Sequence, residues 1–423
     1  MMKTIIIGAG FAGLSAASAL INDFIIIEKE SRPGGLCRSE EKDGFVFDYT
    51  GHFLHLRTKK ASDFVREKCG VLPQITRKAF VFSGGVYTGY PYQANYYGLP
   101  SRIALENLEG FLKAREKGKT AQDNFKDWIL TALGEGNAKN FMFPYNKKLF
   151  KYPLEKLTLD WMGRFVPSPS VEEVMKGLLP EKDRGMGYNA SFYYPKKCGI
   201  ESVIKSLYMG LEKKTLTGEK AVKIELKKKA VHCDSGRVFK YENIISTMPL
   251  PELAAITGRP DLIKAASRLK AVSVYCLNVG FKKQGHIGRH WVYVPEKKYP
   301  FYRIGFPSEV SVSCAPAGCS SVFAEVSFKG RVPRGIDERI VSGLADMGII
   351  KKRSDIICML PMILKNAYVI YDREREGAVS YMEKELLKAG ILLAGRWGKW
   401  EYSSMEDAII EGMAAAEKIV AGK

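Results

Sequence analysis

Thr4-Ile5-Ile6-Ile7-Gly8-Ala9-Gly10-Phe11-Ala12-Gly13-Leu14, with Phe24-Ile25-Ile26-Ile27-Glu28 close behind it, decides the fold of this chain. Thr4 to Ile7 is a short β-branched run that reads as a strand, Gly8 to Gly13 as a turn, Leu14 to Leu20 as the start of a helix, and Phe24 to Ile27 as a second strand. This is a β-α-β unit. Gly8, Gly10 and Gly13 form GxGxxG at its first turn, where glycine permits the tight turn, the approach of backbone to a pyrophosphate, and close packing of helix on strand. Phosphate then rests on the helix N-terminus. Glu28 ends the second strand and is placed to accept from a ribose hydroxyl, which disfavours a 2′-phosphate and leaves FAD or NAD as the dinucleotide.

The residues that follow separate these two. Arg32-Pro33-Gly34-Gly35-Leu36-Cys37-Arg38 adds a second glycine turn, at Gly34 and Gly35, facing the same pyrophosphate, with the cations Arg32 and Arg38 beside it. The combination resembles the amine oxidase, protoporphyrinogen oxidase and UDP-galactopyranose mutase superfamily of FAD proteins. The resemblance implies that a C-terminal strand, loop and helix cover the flavin, a role that falls here to Gly395 through Gly412, with Gly395 and Met405 among the contacts.

Working outward, 423 residues are too many for one ordinary core and predict two or three domains. With 46% hydrophobic and 26% charged residues and no apolar run long enough for a bilayer, the composition is that of a soluble globular chain, read as cytoplasmic. The eight cysteines are scattered, with no CxxC pair and no histidine at metal spacing, so reduced thiols and no metal site are expected. A formal charge of +19 attracts polyanions, but the lysines are spread over the chain rather than gathered in an arm. A solvated basic surface is the reading, without a nucleic-acid partner; the oligomeric state stays open.

Helical patterns at Asn124 to Ala132 and Val171 to Leu179 mark a helical insertion over about 120–180. Strands are expected at Ala221 to Leu226, Ala230 to Cys233, Val238 to Tyr241 and Ile244 to Ser246, then at Val272 to Phe281, Trp291 to Val294, Phe301 to Phe306 and Ser321 to Phe328. Ile391 to Ala394 is a last strand, and Met405 to Val420 a closing helix. The fold class is therefore α/β: a Rossmann-type FAD-binding domain, discontinuous over 1–65, 195–265 and 385–423, with a helical and mixed β-sheet substrate domain over 66–194 and 266–384.

Short segments over nearly the full length resemble UDP-galactopyranose mutases, the eukaryotic type more than the bacterial. Phe47-Asp48-Tyr49-Thr50-Gly51-His52 resembles the family's mobile histidine loop, which implies that His52 lies beside the flavin N5 edge; read alone, it is equally a histidine packed at a strand end. Tyr90-Pro91-Tyr92-Gln93-Ala94-Asn95 and Pro144-Tyr145-Asn146-Lys147-Lys148-Leu149-Phe150 resemble the segments that hold uridine. Tyr92 and Phe150 offer flat faces for stacking, and Gln93 and Asn146 offer donors and acceptors, although such tyrosine-rich stretches also serve as plain packing. Trp291-Val292-Tyr293 and Phe301-Tyr302-Arg303 keep the family spacing for contacts to the nucleotide and its diphosphate. Arg303 inside an apolar strand calls for a partner, either an anionic ligand or a protein carboxylate.

Tyr368, and Tyr402 with Arg396 in Gly395-Arg396-Trp397-Gly398-Lys399-Trp400-Glu401-Tyr402, match further diphosphate, flavin and sugar contacts, and Asn189 matches an asparagine that touches the sugar. One departure is at Trp161-Met162-Gly163-Arg164-Phe165-Val166, where the family arginine falls on Phe165 and Arg164 stands beside it. The resemblance implies a FAD-dependent nucleotide-sugar mutase of cell-surface polysaccharide biosynthesis, interconverting pyranose and furanose forms of a UDP-hexose such as UDP-galactose. Reduced FAD N5 would be the nucleophile, His52, Arg396 and Asn189 would surround it, and NADPH or NADH would be the transient reductant. The alternative is an amine or protoporphyrinogen oxidase or a desaturase of the same fold.

Overall fold

The structure is a computed structural model that describes residues 4–20, 23–118, 121–180, 190–197, 199–282 and 287–422. Thr4–Ile7 lies at the middle of a five-stranded parallel sheet, flanked by Asn243–Ser246 and Ile391–Leu393 on one side and by Phe24–Glu28 and Thr215–Thr217 on the other. Both faces of this sheet are covered, which is why Thr4–Ile7 and Phe24–Glu28 are continuous apolar runs with every residue buried rather than alternating ones. The helix Phe11–Ala19 leaves the first strand and is built largely from alanine, serine and glycine. Small side chains let it approach two neighbours at once.

Those approaches are measurable at two glycines. A Cβ on Gly13 would stand 1.9 Å from the Gly8 carbonyl oxygen, so the helix is pressed onto its own turn. A Cβ on Gly412 would stand 2.1 Å from the Ala12 oxygen. Gly412 belongs to the closing helix Met405–Val420, which is capped by Ser404 in a reciprocal box with Asp407 and packs along Phe11–Ala19.

A second sheet has seven strands, in the order Ile356–Val369, Ala271–Lys282, Cys319–Phe328, Arg303–Gly305, Trp291–Tyr293, Ala79–Ser83 and Val86–Gly89. It is mixed: Trp291–Tyr293 runs parallel to Ala79–Ser83, and the other neighbours are antiparallel. Four of these strands were expected. The edge strand Ile356–Val369 and the hairpin Ala79–Ser83 with Val86–Gly89 were not, because their apolar residues are interrupted by lysine, proline and glycine. The strands Ala221–Glu225, Ala230–Cys233 and Val238–Lys240 make a separate antiparallel sheet before Asn243–Ser246 joins the parallel one.

The helical region begins earlier than expected, with Ser101–Glu116 packed on Phe125–Asn137. The latter starts where the sequence indicated, Asn124 accepting from the Asp127 N–H. Among the described residues, no helix is long and apolar enough to cross a membrane, and no group of three or more acidic, histidine or cysteine side chains could hold a metal ion.

Candidate active site

A cleft of about 770 Å³ runs from the first turn of the parallel sheet to the inner face of the mixed sheet. Its inner end is the double glycine turn. The Gly34 N–H donates to the Ala9 carbonyl at 2.9 Å, and a Cβ built on Gly35 would lie 3.5 Å from Gly10 Cα, so the two turns face each other in contact and leave a side-chain-free wall. The helix Phe11–Ala19 has no side-chain cap at Gly10, and Gly10, Phe11 and Ala12 line the cleft, which leaves first-turn N–H groups directed at an incoming anion. Glu28 is buried with one oxygen accepting from the Ala9 N–H at 2.7 Å and the other from the Glu30 N–H at 2.9 Å. A carboxylate has about four acceptor positions, so it keeps capacity for ribose hydroxyls. A bare cradle, an open helix N-terminus and a buried acid fit the ADP half of FAD.

Of the two cations read beside this turn, only Arg38 lines the cleft. It donates to the Gly35 carbonyl at 3.1 Å and pairs with Glu30. Arg32, which does not line the cleft, is engaged by Glu40 and the Ser39 carbonyl.

Gly395, Arg396, Tyr402 and Met405 line the cleft from the C-terminal side. The Gly395 N–H is held by Glu411 at 2.7 Å, and burial, with Glu401 beside it, raises the Glu411 carboxyl to about 9. The Arg396 guanidinium donates to the carbonyls of Ala367 (2.8 and 3.2 Å) and Ser403 (2.7 Å) and lies over the rings of Tyr368 and Tyr402, 5.5 and 5.0 Å from their centroids. No carboxylate pairs with it among the described residues.

Opposite stands the loop Tyr49 to Phe53. His52 lines the cleft, and its Nδ1 is buried without a hydrogen-bond partner among the described residues. Burial, reinforced by the nearby charges of Arg303 and Arg396, lowers its pKa to about 4, so the ring is neutral at pH 7.

Arg303 is also at the cleft, but it is not waiting for an anion. Its Nε and Nη2 donate to Glu325 at 2.6 and 2.7 Å, a bidentate pair between residues directly opposite on neighbouring strands, and the Glu325 side chain is 1% exposed. The protein carboxylate is the partner. Glu325 was missed although it stands as the one charge in the apolar run Val322 to Phe328, the same signal that singled out Arg303.

Tyr92 and Phe150 are corrected as well: neither lines the cleft. Tyr92 is fully buried, its hydroxyl accepting from Asn107 and its ring stacked on Phe141, and Phe150 packs edge-on against Trp161 and Tyr368. The faces presented to the cleft in that region are Tyr90, Phe141 and Tyr145, with Tyr90 and Tyr145 both packed on Tyr293. The resemblance picked out segments that reach the cleft but not which neighbouring ring points in.

Gln93 and Asn146 line the cleft with their amide nitrogens committed, to the Pro167 carbonyl at 2.6 Å and the Met142 carbonyl at 2.8 Å. Trp291, Tyr293 and Tyr368 line it too. Phe165 faces the cleft beside Tyr402, while Arg164 is ion-paired with Asp407 and does not line it. Asn189 lies outside the described residues. Gly13 lies behind the wall rather than on it, in its packing role.

The family model described as flavin containing amine oxidoreductase matches residues 11–420. Among curated relatives, the chain is 31% identical over 157 residues to dTDP-fucopyranose mutase of Escherichia coli and 26% identical over 251 residues to coproporphyrinogen III oxidase of Staphylococcus aureus. These stretches cover 35% and 51% of this chain but only 41% and 53% of those relatives. A crystal structure of reduced UDP-galactopyranose mutase superposes with a TM-score of 0.95 at 25% identity, covering 100% of this chain and 96% of that one. FAD is thus the group for which the double glycine turn is shaped. The chain belongs to the flavin-containing amine oxidoreductase family, and over its whole length its fold is similar to that of the UDP-galactopyranose mutase structure.

Proposed function

We propose that this protein interconverts the pyranose and furanose forms of a nucleoside-diphosphate hexose, with UDP-galactose as the first substrate to test. The observation that carries the reading is Arg396, a cation that among the described residues is held by backbone carbonyls and two tyrosine rings, with no carboxylate, at the wall of a cleft. Such a guanidinium keeps its full charge and calls for an anionic ligand. A diphosphate answers it; an amine or a polyene does not. Arg303, whose charge is already answered by Glu325, keeps 22% of its side chain exposed and adds an N–H donor rather than net charge, and Tyr368 and Tyr402 add hydroxyls.

FAD would be held by Gly8, Gly10, Glu28, Gly34, Gly35, Arg38, Gly395 and Met405. When bound and reduced, it supplies the nucleophile through N5, which relieves the protein of furnishing one. The side chains position and stabilise. Neutral His52 contributes a polar edge beside the flavin without adding charge. Gln93 and Asn146, each with one amide N–H committed to a backbone carbonyl, would offer amide oxygens to a base with an imide N–H, and Tyr90, Tyr145 and Tyr293 would give it faces to stack on. Asn189 is assigned to the sugar by resemblance. Arg396, Arg303, Tyr368 and Tyr402 hold the departing diphosphate near the sugar so that it recombines rather than escapes. NADPH or NADH is the reductant in this reading and the cytoplasm its setting.

The test is dithionite-reduced protein incubated with UDP-galactofuranose, and in parallel with a dTDP-sugar, followed by chromatography. Conversion to the pyranose by reduced but not oxidised protein, without net use of oxidant, is the expected result. Hydrogen peroxide formed stoichiometrically from an amine or a porphyrinogen, with no sugar interconversion, would assign the oxidase alternative instead.

A further inference from the structure

The loop that carries His52 is short, strained and tied at both ends. Thr50 has φ 73, a left-handed conformation that a β-branched residue rarely adopts. Its N–H donates to the Asp48 carbonyl at 2.8 Å and the His52 N–H to the Thr50 carbonyl at 3.0 Å, so the backbone makes two three-residue turns in succession. Strain of this kind persists only where the surroundings over-determine it.

At the upstream end, the buried Asp48 carboxylate accepts from the Tyr194 hydroxyl at 2.6 Å on one oxygen, and from the Ser39 hydroxyl at 2.6 Å and the Ile200 N–H at 3.2 Å on the other. At the downstream end, Leu54 and Tyr193 exchange backbone hydrogen bonds of 3.2 and 2.8 Å. Phe53 packs on Phe192 and Trp291, with Tyr194 meeting its ring edge-on at 6.0 Å. Tyr194 therefore touches both ends of the loop, its hydroxyl on Asp48 and its ring on Phe53. Neither Tyr194 nor Asp48 lines the cleft.

We propose that Tyr194, acting through Asp48, is the positioning residue that sets Gly51 and His52 against the flavin edge of the cleft. This rests on the placement of reduced FAD given above. A hydroxyl on a buried carboxylate is a strong, charge-assisted donor, and removing it leaves an acceptor unsatisfied at the foot of a strained loop. The loop then relaxes, and the surroundings of the flavin change unequally for its two redox states.

The experiment is Tyr194→Phe in the full FAD-loaded chain, which deletes the hydroxyl and keeps the ring. The readings are the flavin visible spectrum, the midpoint potential by dithionite titration against a reference dye, the melting temperature, and kcat and KM for the sugar. Expected are retained FAD, a potential shifted by about 30 mV, equivalent to a tenfold change in relative affinity for the two states of a two-electron couple, and kcat lowered about tenfold with KM within twofold. A lower melting temperature with spectrum, potential and kcat unchanged means that Tyr194 only packs, and overturns the proposal. So does no change at all. If the variant emerges without FAD, the same readings on Ser39→Ala, which removes a different donor from the same carboxylate, decide the matter, and an unmoved potential there overturns it. Potential and spectrum need no sugar, so a wild type without mutase activity defeats the proposed reaction separately from this inference.

Discussion

Arg303→Met should destabilise the protein through the residue it leaves behind. Glu325 is 1% exposed, and both of its oxygens are engaged by Arg303, so the substitution strands a buried carboxylate. Breaking a buried pair from one side costs about 3–5 kcal/mol, and because the Arg303 side chain keeps 22% exposure on the cleft side, the lower end, about 3 kcal/mol, applies. At about 2.1 cal/mol/K per residue over 423 residues, that is a fall of about 3 °C in melting temperature if the chain melts as one unit. The double variant Arg303→Met with Glu325→Leu removes both charges and fills similar space, which is often neutral or stabilising, so it should melt within about 1 °C of wild type. The assay is the four-member cycle melted in saturating FAD, with UDP titrated against flavin absorbance in each member. Stability should return in the double variant while UDP affinity stays low, because the second loss belongs to the cleft-facing flank of the guanidinium. A single variant that melts like wild type, or a double that melts no higher than the single, would refute the argument.

Gly412→Ala should lower both melting temperature and FAD retention, since the new methyl group meets the Ala12 carbonyl at 2.1 Å and must push the helix Phe11–Ala19 off the pyrophosphate turn; an overpacking cost of about 1–3 kcal/mol is expected, read from melts and from the flavin content of the purified protein. Stability should fall with acid between about pH 6 and pH 4.5. His52, His55 and His290 are each depressed to about 4 by burial, so all three charge in the unfolded chain below 6.5 while the folded state stays neutral, and their contribution is lost as pH falls. Asp48, raised to about 6 by burial, and Glu411, raised to about 9, run the opposite way, but two carboxyls do not offset three histidines. Melting temperature recorded against pH checks the sign, and a rise on acidification through that window would contradict it.

What the sequence determined by itself was the part of the protein in which function and local conformation coincide. Gly8, Gly10, Gly34, Gly35 and Glu28 lie on contiguous turns whose spacing is set by one strand and one helix, so the cradle was legible without tertiary contacts. The same holds for the closing helix, whose start at Met405 is announced by the Ser404 cap. The cleft-facing surface was legible only as segments. Whether Tyr92 or Tyr90 points inward, and whether Phe150 or Tyr145 does, depends on how the short turn Tyr92–Ala94 and the helix Phe143–Phe150 are rotated against the sheet, and a rotation of either exchanges wall for core.

Arg303 shows the same limit in electrostatic terms. Sequence demanded a counter-charge for it, but the choice between a ligand and Glu325 was made by the register of Arg303–Gly305 on Cys319–Phe328, two strands joined by a loop that no local rule specifies. Only the tertiary structure brought Tyr193, Tyr194 and Ile200 onto Asp48 and Leu54 at the two ends of the His52 loop. Those partners lie about 140 or more residues further along the chain, and each alone reads as ordinary core, because hydrogen bonds made across segments leave no periodic trace in the chain.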